Sequence, residues 1–191
     1  MTDDGATGAR SDEAPPRFAD PRRVGAVIGL VGAVVFVFSY TPGFTDPASA
    51  VARVLTVVCI GATVWFLFVQ PRFLGPFVPP RAGRIGAYLA CVVGEFALIA
   101  VGTRWLGDAG EADLRPALIA LVVGLHFLPF AWAFAERMFY ALGGSLVVLG
   151  GSGLLIGTRS AALVAATGSG VVMSILLLAY SLGAFAPRSR S

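Results

Sequence analysis

The chain has 191 residues, 57% of them hydrophobic and only 13% charged, with a mean hydropathy of +0.81. Soluble domains carry roughly 25% charged residues, so these values exclude an ordinary water-soluble domain and place most of the chain in lipid. The net charge is +3 and all 14 basic residues are arginine, but they flank apolar segments and form no stripe interleaved with aromatics, so nucleic acid is not an expected partner.

Residues 1–23 mix acids and arginines around Pro15 and Pro16 without apolar periodicity, which reads as a disordered tail. The first apolar run covers 24–40 and stops at Thr41-Pro42-Gly43. Arg22-Arg23, this run and Ala48-Ser49-Ala50 together imitate a signal peptide, but the gap between Tyr40 and Ala50 is too long for a cleavage region. A second run covers 51–70, with Arg53 able to snorkel from its first turn. A loop rich in proline and arginine leads to the third run, 85–103, whose end Arg104 and Trp105 mark. Pro116 suits the first turn of a fourth run, 116–134. No glycine or proline occurs from Ala131 to Leu142, yet one helix from 116 to 157 would be ~60 Å long, twice the hydrocarbon thickness. Glu136-Arg137 therefore marks a tight turn before a fifth run, 138–157. Thr158-Arg159-Ser160 turns the chain into a sixth, 161–185, and 186–191 is a short basic tail. The fold expected is all-α: a polytopic bundle of six transmembrane helices, with the lipid bilayer as its surroundings.

Arginine accumulates on the cytoplasmic side of membrane proteins. With the N-terminus inside, Arg22, Arg23, Arg72, Arg81, Arg84, Arg137, Arg188 and Arg190 fall inside, against Arg53, Arg104, Arg115 and Arg159 outside. Both termini are expected to be cytoplasmic, in a plasma membrane. The absence of lysine and asparagine suggests a GC-rich prokaryotic source.

Small residues recur every fourth position: Gly25 and Gly29; Gly86, Ala90 and Gly94; Gly153 and Gly157; Ala162, Ala166, Gly170 and Ser174. Such rows let helix backbones approach closely, within one subunit or in a homo-oligomer. Cys59 and Cys91 lie inside apolar runs at different depths, so neither a disulfide nor a thiolate metal site is expected. No cofactor is expected, because phosphate loops and dinucleotide fingerprints do not occur in the sequence and, apart from Glu95 and His126, the membrane segments lack clustered metal ligands.

Chemistry concentrates at two residues. Glu95 and His126 each fall ~15 Å from an end of their runs, near the bilayer midplane, where an unpaired charge costs on the order of 2.5 to 3.5 kcal/mol. Pro129 leaves the carbonyl of Leu125 without its helical partner, one position from His126. A carboxyl, an imidazole and a free carbonyl at one depth have the composition of a proton or cation waypoint. The same pair also suits a hydrogen bond that fixes helix register. A transport path further needs polar residues along one face, for which Thr56, Thr63, Ser145, Ser152, Thr167, Ser169 and Ser174 are candidates.

Two resemblances are carried by short segments. Gly150-Gly151-Ser152-Gly153 is similar to the pattern around the nucleophilic serine of rhomboid proteases. In rhomboids the histidine follows that serine on a later helix, whereas His126 precedes it here, so proteolysis is not expected. Gly124-Leu125-His126-Phe127-Leu128-Pro129, followed by Phe139-Tyr140, resembles a stretch of uncharacterised prokaryotic multi-pass membrane proteins, which implies no activity. The expected function is movement of a proton, ion or small solute past Glu95 and His126. The alternatives are a non-catalytic membrane component and, third, an intramembrane enzyme.

Overall fold

The computed structural model describes residues 20–43, 47–71, 82–134 and 136–186. The expected tail up to residue 19, the proline and arginine-rich loop over 72–81 and the basic tail from 187 lie outside the described residues. Six helices, each long and apolar enough to cross a membrane, make up the described chain, with no strand among the described residues.

Helix α1 spans Pro21–Tyr40. It begins three residues earlier than the apolar run because Asp20 caps it, its side chain accepting the Arg22 amide at 3.0 Å, and Pro21 occupies the first helical position. Arg22 and Arg23 therefore belong to the first turn of α1. A short 3-10 turn, Thr41–Gly43, follows it. Helix α2 spans Pro47–Val64 and continues as a π-helical turn, Trp65–Val69. Arg53 donates from Nε to Thr41 Oγ1 at 2.7 Å, pinning α2 to the end of α1.

Helix α3 spans Ala82–Asp108, running past the expected end at Thr103. Thr103 returns its hydroxyl to the Ile99 carbonyl at 2.7 Å and so continues the helix, and Leu106 is buried beyond it. The helix stops where Gly110 takes a left-handed conformation, φ 78°. Helix α4 spans Arg115–Phe134 and α5 spans Arg137–Ile156, separated by the tight turn at Glu136. Gly157, at φ 69°, closes α5 as a left-handed cap. Helix α6 spans Arg159–Ser181, capped by the Thr158 side chain. It ends four residues short of the apolar run because Gly183, φ 81°, folds Phe185 back onto the bundle.

Three buried clusters order the helices along the bundle. At the near end, Ala26 and Leu30 of α1 meet Leu67, Met138 of α5, and Leu177 and Tyr180 of α6. The middle joins Ala33, Phe36, Ala120, Leu142, Leu146, Ala166 and Met173. At the far end, Leu106 of α3 meets Leu114, Ala117 of α4, and Ala162 and Ala165 of α6. Consecutive helices therefore run in opposite directions. Helix α6 is the axis of the bundle, packing on α1, α2, α4 and α5. Helix α3 is peripheral: it packs chiefly on α4, and only 6% of its span is buried, against 50% for α6. Leu89, Val93, Phe96, Val101 and Trp105 of α3 face outward, as lipid contact allows.

Candidate functional site

Glu95 is thirteen residues from either end of α3, at its centre. The side of α3 that turns from lipid carries Cys91, Glu95, Ile99, Gly102 and Leu106, recurring every three or four positions. Helix α4 fits closely there: a Cβ on Gly102 would lie 2.6 Å from a Leu118 methyl group, and Arg115 donates from Nε to the Thr103 carbonyl at 3.0 Å. With the two helices held this way, Glu95 Oε2 lies 2.9 Å from Nδ1 of His126, and the side chains are only 14% and 11% exposed.

The separation is that of a hydrogen bond, but Nδ1 is buried without an aligned hydrogen-bond partner. The contact is therefore a close pairing of carboxyl and imidazole, within reach of one proton, rather than a directed N–H···O bond. Aromatic rings line the other side of His126. Phe130 lies 4.2 Å from it between ring centroids, tilted by 51°, and Phe127 lies 5.1 Å away, edge to face. These rings continue to Phe139 of α5, which stacks on Phe127 at 5.9 Å and meets Phe134 at 6.1 Å. Pro129 lies within α4, and the side chain of Leu125 points outward, 44% exposed.

The other polar candidates lie elsewhere. Thr56 and Thr63 form the buried side of α2 together with Cys59, and Thr167, Ser169 and Ser174 are buried on α6. Most of these hydroxyls bond to their own helix, as Thr63 does to the Cys59 carbonyl and Ser174 to that of Val171, both at 2.7 Å. Ser145 likewise bonds to the Ala141 carbonyl, and Ser152 is exposed. The serine of the rhomboid-like segment thus stands apart from His126. Among the described residues no three His, Cys, Asp or Glu side chains form a group that could hold a metal ion.

The small residues divide sharply. Ala162, Ala166 and Ser174 are fully buried, and a Cβ on Gly170 would stand 2.8 Å from the Ala33 carbonyl and from Phe36 Cβ of α1. Gly29 approaches Leu177, and Gly153 packs between Ala117 and Ala165. Gly25, Gly86 and Gly94 face open space, Ala90 is exposed, and Gly157 serves as the cap of α5. The tightest approach, between α4 and α5, runs through Gly124, Gly143 and Gly150. A search at four-residue spacing passes over it because Gly143 and Gly150 recur at seven, as do Ala117, Gly124 and Ala131 on α4.

A second polar group missed from sequence lies at the near end. Glu136, in the α4–α5 turn, accepts a long hydrogen bond from the Tyr180 hydroxyl at 3.5 Å. Asp20 binds Arg22 at 3.1 Å and lies 3.7 Å from Arg23, and the charges of Arg22 and Asp20 act on Glu136. Burial pushes the Glu136 carboxyl above its ordinary value, while Arg22 and the Tyr180 hydrogen bond oppose the rise. The available signal was an acid at a membrane turn, which reads at first as a solvated loop residue.

The fold and composition define a multi-pass membrane protein, an antiparallel bundle of six spanning helices. Residues 96–184 match the model of a family described as a family of unknown function (DUF7010), a stretch that starts one residue after Glu95 and contains His126 and the phenylalanine cluster. No curated protein matches the chain, and no solved structure does.

Proposed function

We propose that this is a small protein of a prokaryotic plasma membrane, both termini cytoplasmic, that binds and passes a proton at the Glu95–His126 pair. The observation that supports this reading is the 2.9 Å separation of Oε2 and Nδ1 in the middle of two spans. A gap of that length leaves no room for an ion or solute between the two atoms, which favours a proton over the ions and small solutes that composition leaves open. Sharing one proton, the pair has no net charge whether the proton is on oxygen or nitrogen, the condition lipid tolerates best. The orientation rests on the excess of arginine that the sequence puts in the segments expected inside, much of it in Arg72, Arg81, Arg84, Arg188 and Arg190.

A second reading, a non-catalytic membrane component in which the pair fixes the register of α3 on α4, is favoured by one observation. The buried hydroxyls of α2 and α6 string no polar path to the pair. Proton flux separates the two readings. The full chain is reconstituted in phosphatidylcholine–phosphatidylglycerol vesicles holding a pH dye, and a potassium gradient with valinomycin supplies the driving voltage. The expected result is proton flux in wild type and none in Glu95→Gln and His126→Gln at unchanged circular dichroism. Wild-type flux in both variants sinks the proton reading and leaves the register role.

A further inference from the structure

Resting on that reading, we propose that Glu136 is a second proton station at the near end of the bundle, and that Phe127, Phe130, Phe134 and Phe139 form a dry gate between it and the Glu95–His126 pair.

The ring contacts run from His126 to Phe139 at the start of α5, beside the backbone of Glu136. His126 meets Phe130 at 4.2 Å, Phe130 meets Phe134 at 5.8 Å and Phe139 at 5.9 Å, and the Phe139 amide donates to the Glu136 carbonyl at 3.2 Å. His126 and Glu136 are ten positions apart in sequence, ~15 Å along a helix, too far for direct transfer. A proton crossing that distance needs water, for which rings in mutual contact leave little room, and a hydrophobic constriction that wets and dries is a known form of gate. Pro129 adjoins the central ring, Phe130, and supplies no N–H to the Leu125 carbonyl, so α4 has a missing backbone bond beside the gate.

Glu136 has the surroundings of a proton acceptor. Its carboxyl is partly buried, outside the membrane-spanning segments, with Tyr180 of α6 donating to it. At the start of α1 the charge of Arg22 opposes the rise and that of Asp20 adds to it, and the adjoining Arg137 is exposed. When the rings part, a proton leaves the Glu95–His126 pair on water and binds a Glu136 carboxylate oxygen to give the neutral acid. The Tyr180 hydroxyl keeps its own proton throughout. The acid then releases the proton to water at the near end, restoring the carboxylate, and no electron changes hands. The rise that burial gives the Glu136 carboxyl supports its holding a proton between these steps.

The test uses the full chain in the vesicles described above, comparing Glu136→Gln, Glu136→Asp, Phe130→Ala and Glu95→Gln. The expected result is loss of flux in Glu136→Gln, partial recovery in Glu136→Asp, and faster flux in Phe130→Ala. An infrared carbonyl band of a protonated acid that titrates in wild type and disappears in Glu136→Gln is expected independently of flux. Flux lost in Glu95→Gln but at wild-type level in Glu136→Gln and Phe130→Ala overturns this proposal and leaves the proton reading standing. Wild-type flux in Glu95→Gln overturns the reading itself, and the two-station path with it.

Discussion

Gly124 of α4 and Gly143 of α5 face each other so closely that a Cβ on either would lie within 3 Å of the other's carbonyl oxygen, at 2.9 and 2.7 Å. Gly150, one heptad along, approaches the Leu121 backbone in the same way. Gly143→Ala or Gly150→Ala must push two backbones apart and is expected to cost about 1–3 kcal/mol. Gly144→Ala is the matched control, because its Cβ would meet nothing within 4 Å, and it should be neutral or slightly stabilising in the helix. Thermal unfolding in detergent checks the contrast, and equal melting temperatures for Gly150→Ala and Gly144→Ala would falsify it.

The Glu95–His126 contact predicts an interaction energy. Each single change to Gln removes the pairing, so the double variant should be less destabilised than the sum of the singles, by about 1–2 kcal/mol, the size of interhelical polar contacts in membranes. Chemical denaturation of the four proteins in mixed micelles gives the cycle. Additive losses mean that the two side chains do not meet.

Glu136 predicts a pH dependence of known sign. Its folded carboxyl holds a proton more tightly than the ordinary value of 4.5 that applies in the unfolded chain. Its contribution to stability is therefore complete below pH 4.5 and is lost as pH rises through the folded value. Glu136→Gln, uncharged throughout, should flatten that fall. Melting temperatures of both proteins from pH 4 upward decide it, and parallel curves rule the effect out.

The proposed orientation places the α3–α4 connection outside the cell. In a variant without Cys59 and Cys91, a cysteine at the exposed Glu111 should react with a membrane-impermeant maleimide added to intact cells. Gly110 is the poorer site, because φ 78° strains any side chain there. Reaction only after lysis reverses the topology.

The six spans were legible because lipid imposes a length and an apolarity that few other constraints imitate. Even the turn at Glu136-Arg137, without glycine or proline, followed from bilayer thickness alone. Helix ends were less legible where a polar residue stays helical: Thr103 bonds to its own helix and α3 runs on to Asp108. Glu95 and His126 stood out as ionisable residues deep in apolar runs. Their common depth already suggested that the two could meet; the packing of α3 against α4 that sets them 2.9 Å apart was not readable. The ring path from His126 to Phe139 also escaped notice, because phenylalanines in a membrane helix read equally well as lipid-facing surface.

The peripheral place of α3 matters most while the chain is being made. It is the least apolar of the six spans and carries Glu95 at its centre, but the histidine that pairs with that acid comes 31 residues later. At ~5–20 residues per second of synthesis, the acid waits about 1.5 to 6 seconds for its partner. During that interval α3 has little of the packing that later holds it, so its entry into the bilayer depends on whatever shelters a lone carboxyl beside the translocation channel. The α3–α4 hairpin, more than either helix, is then the unit that the membrane accepts.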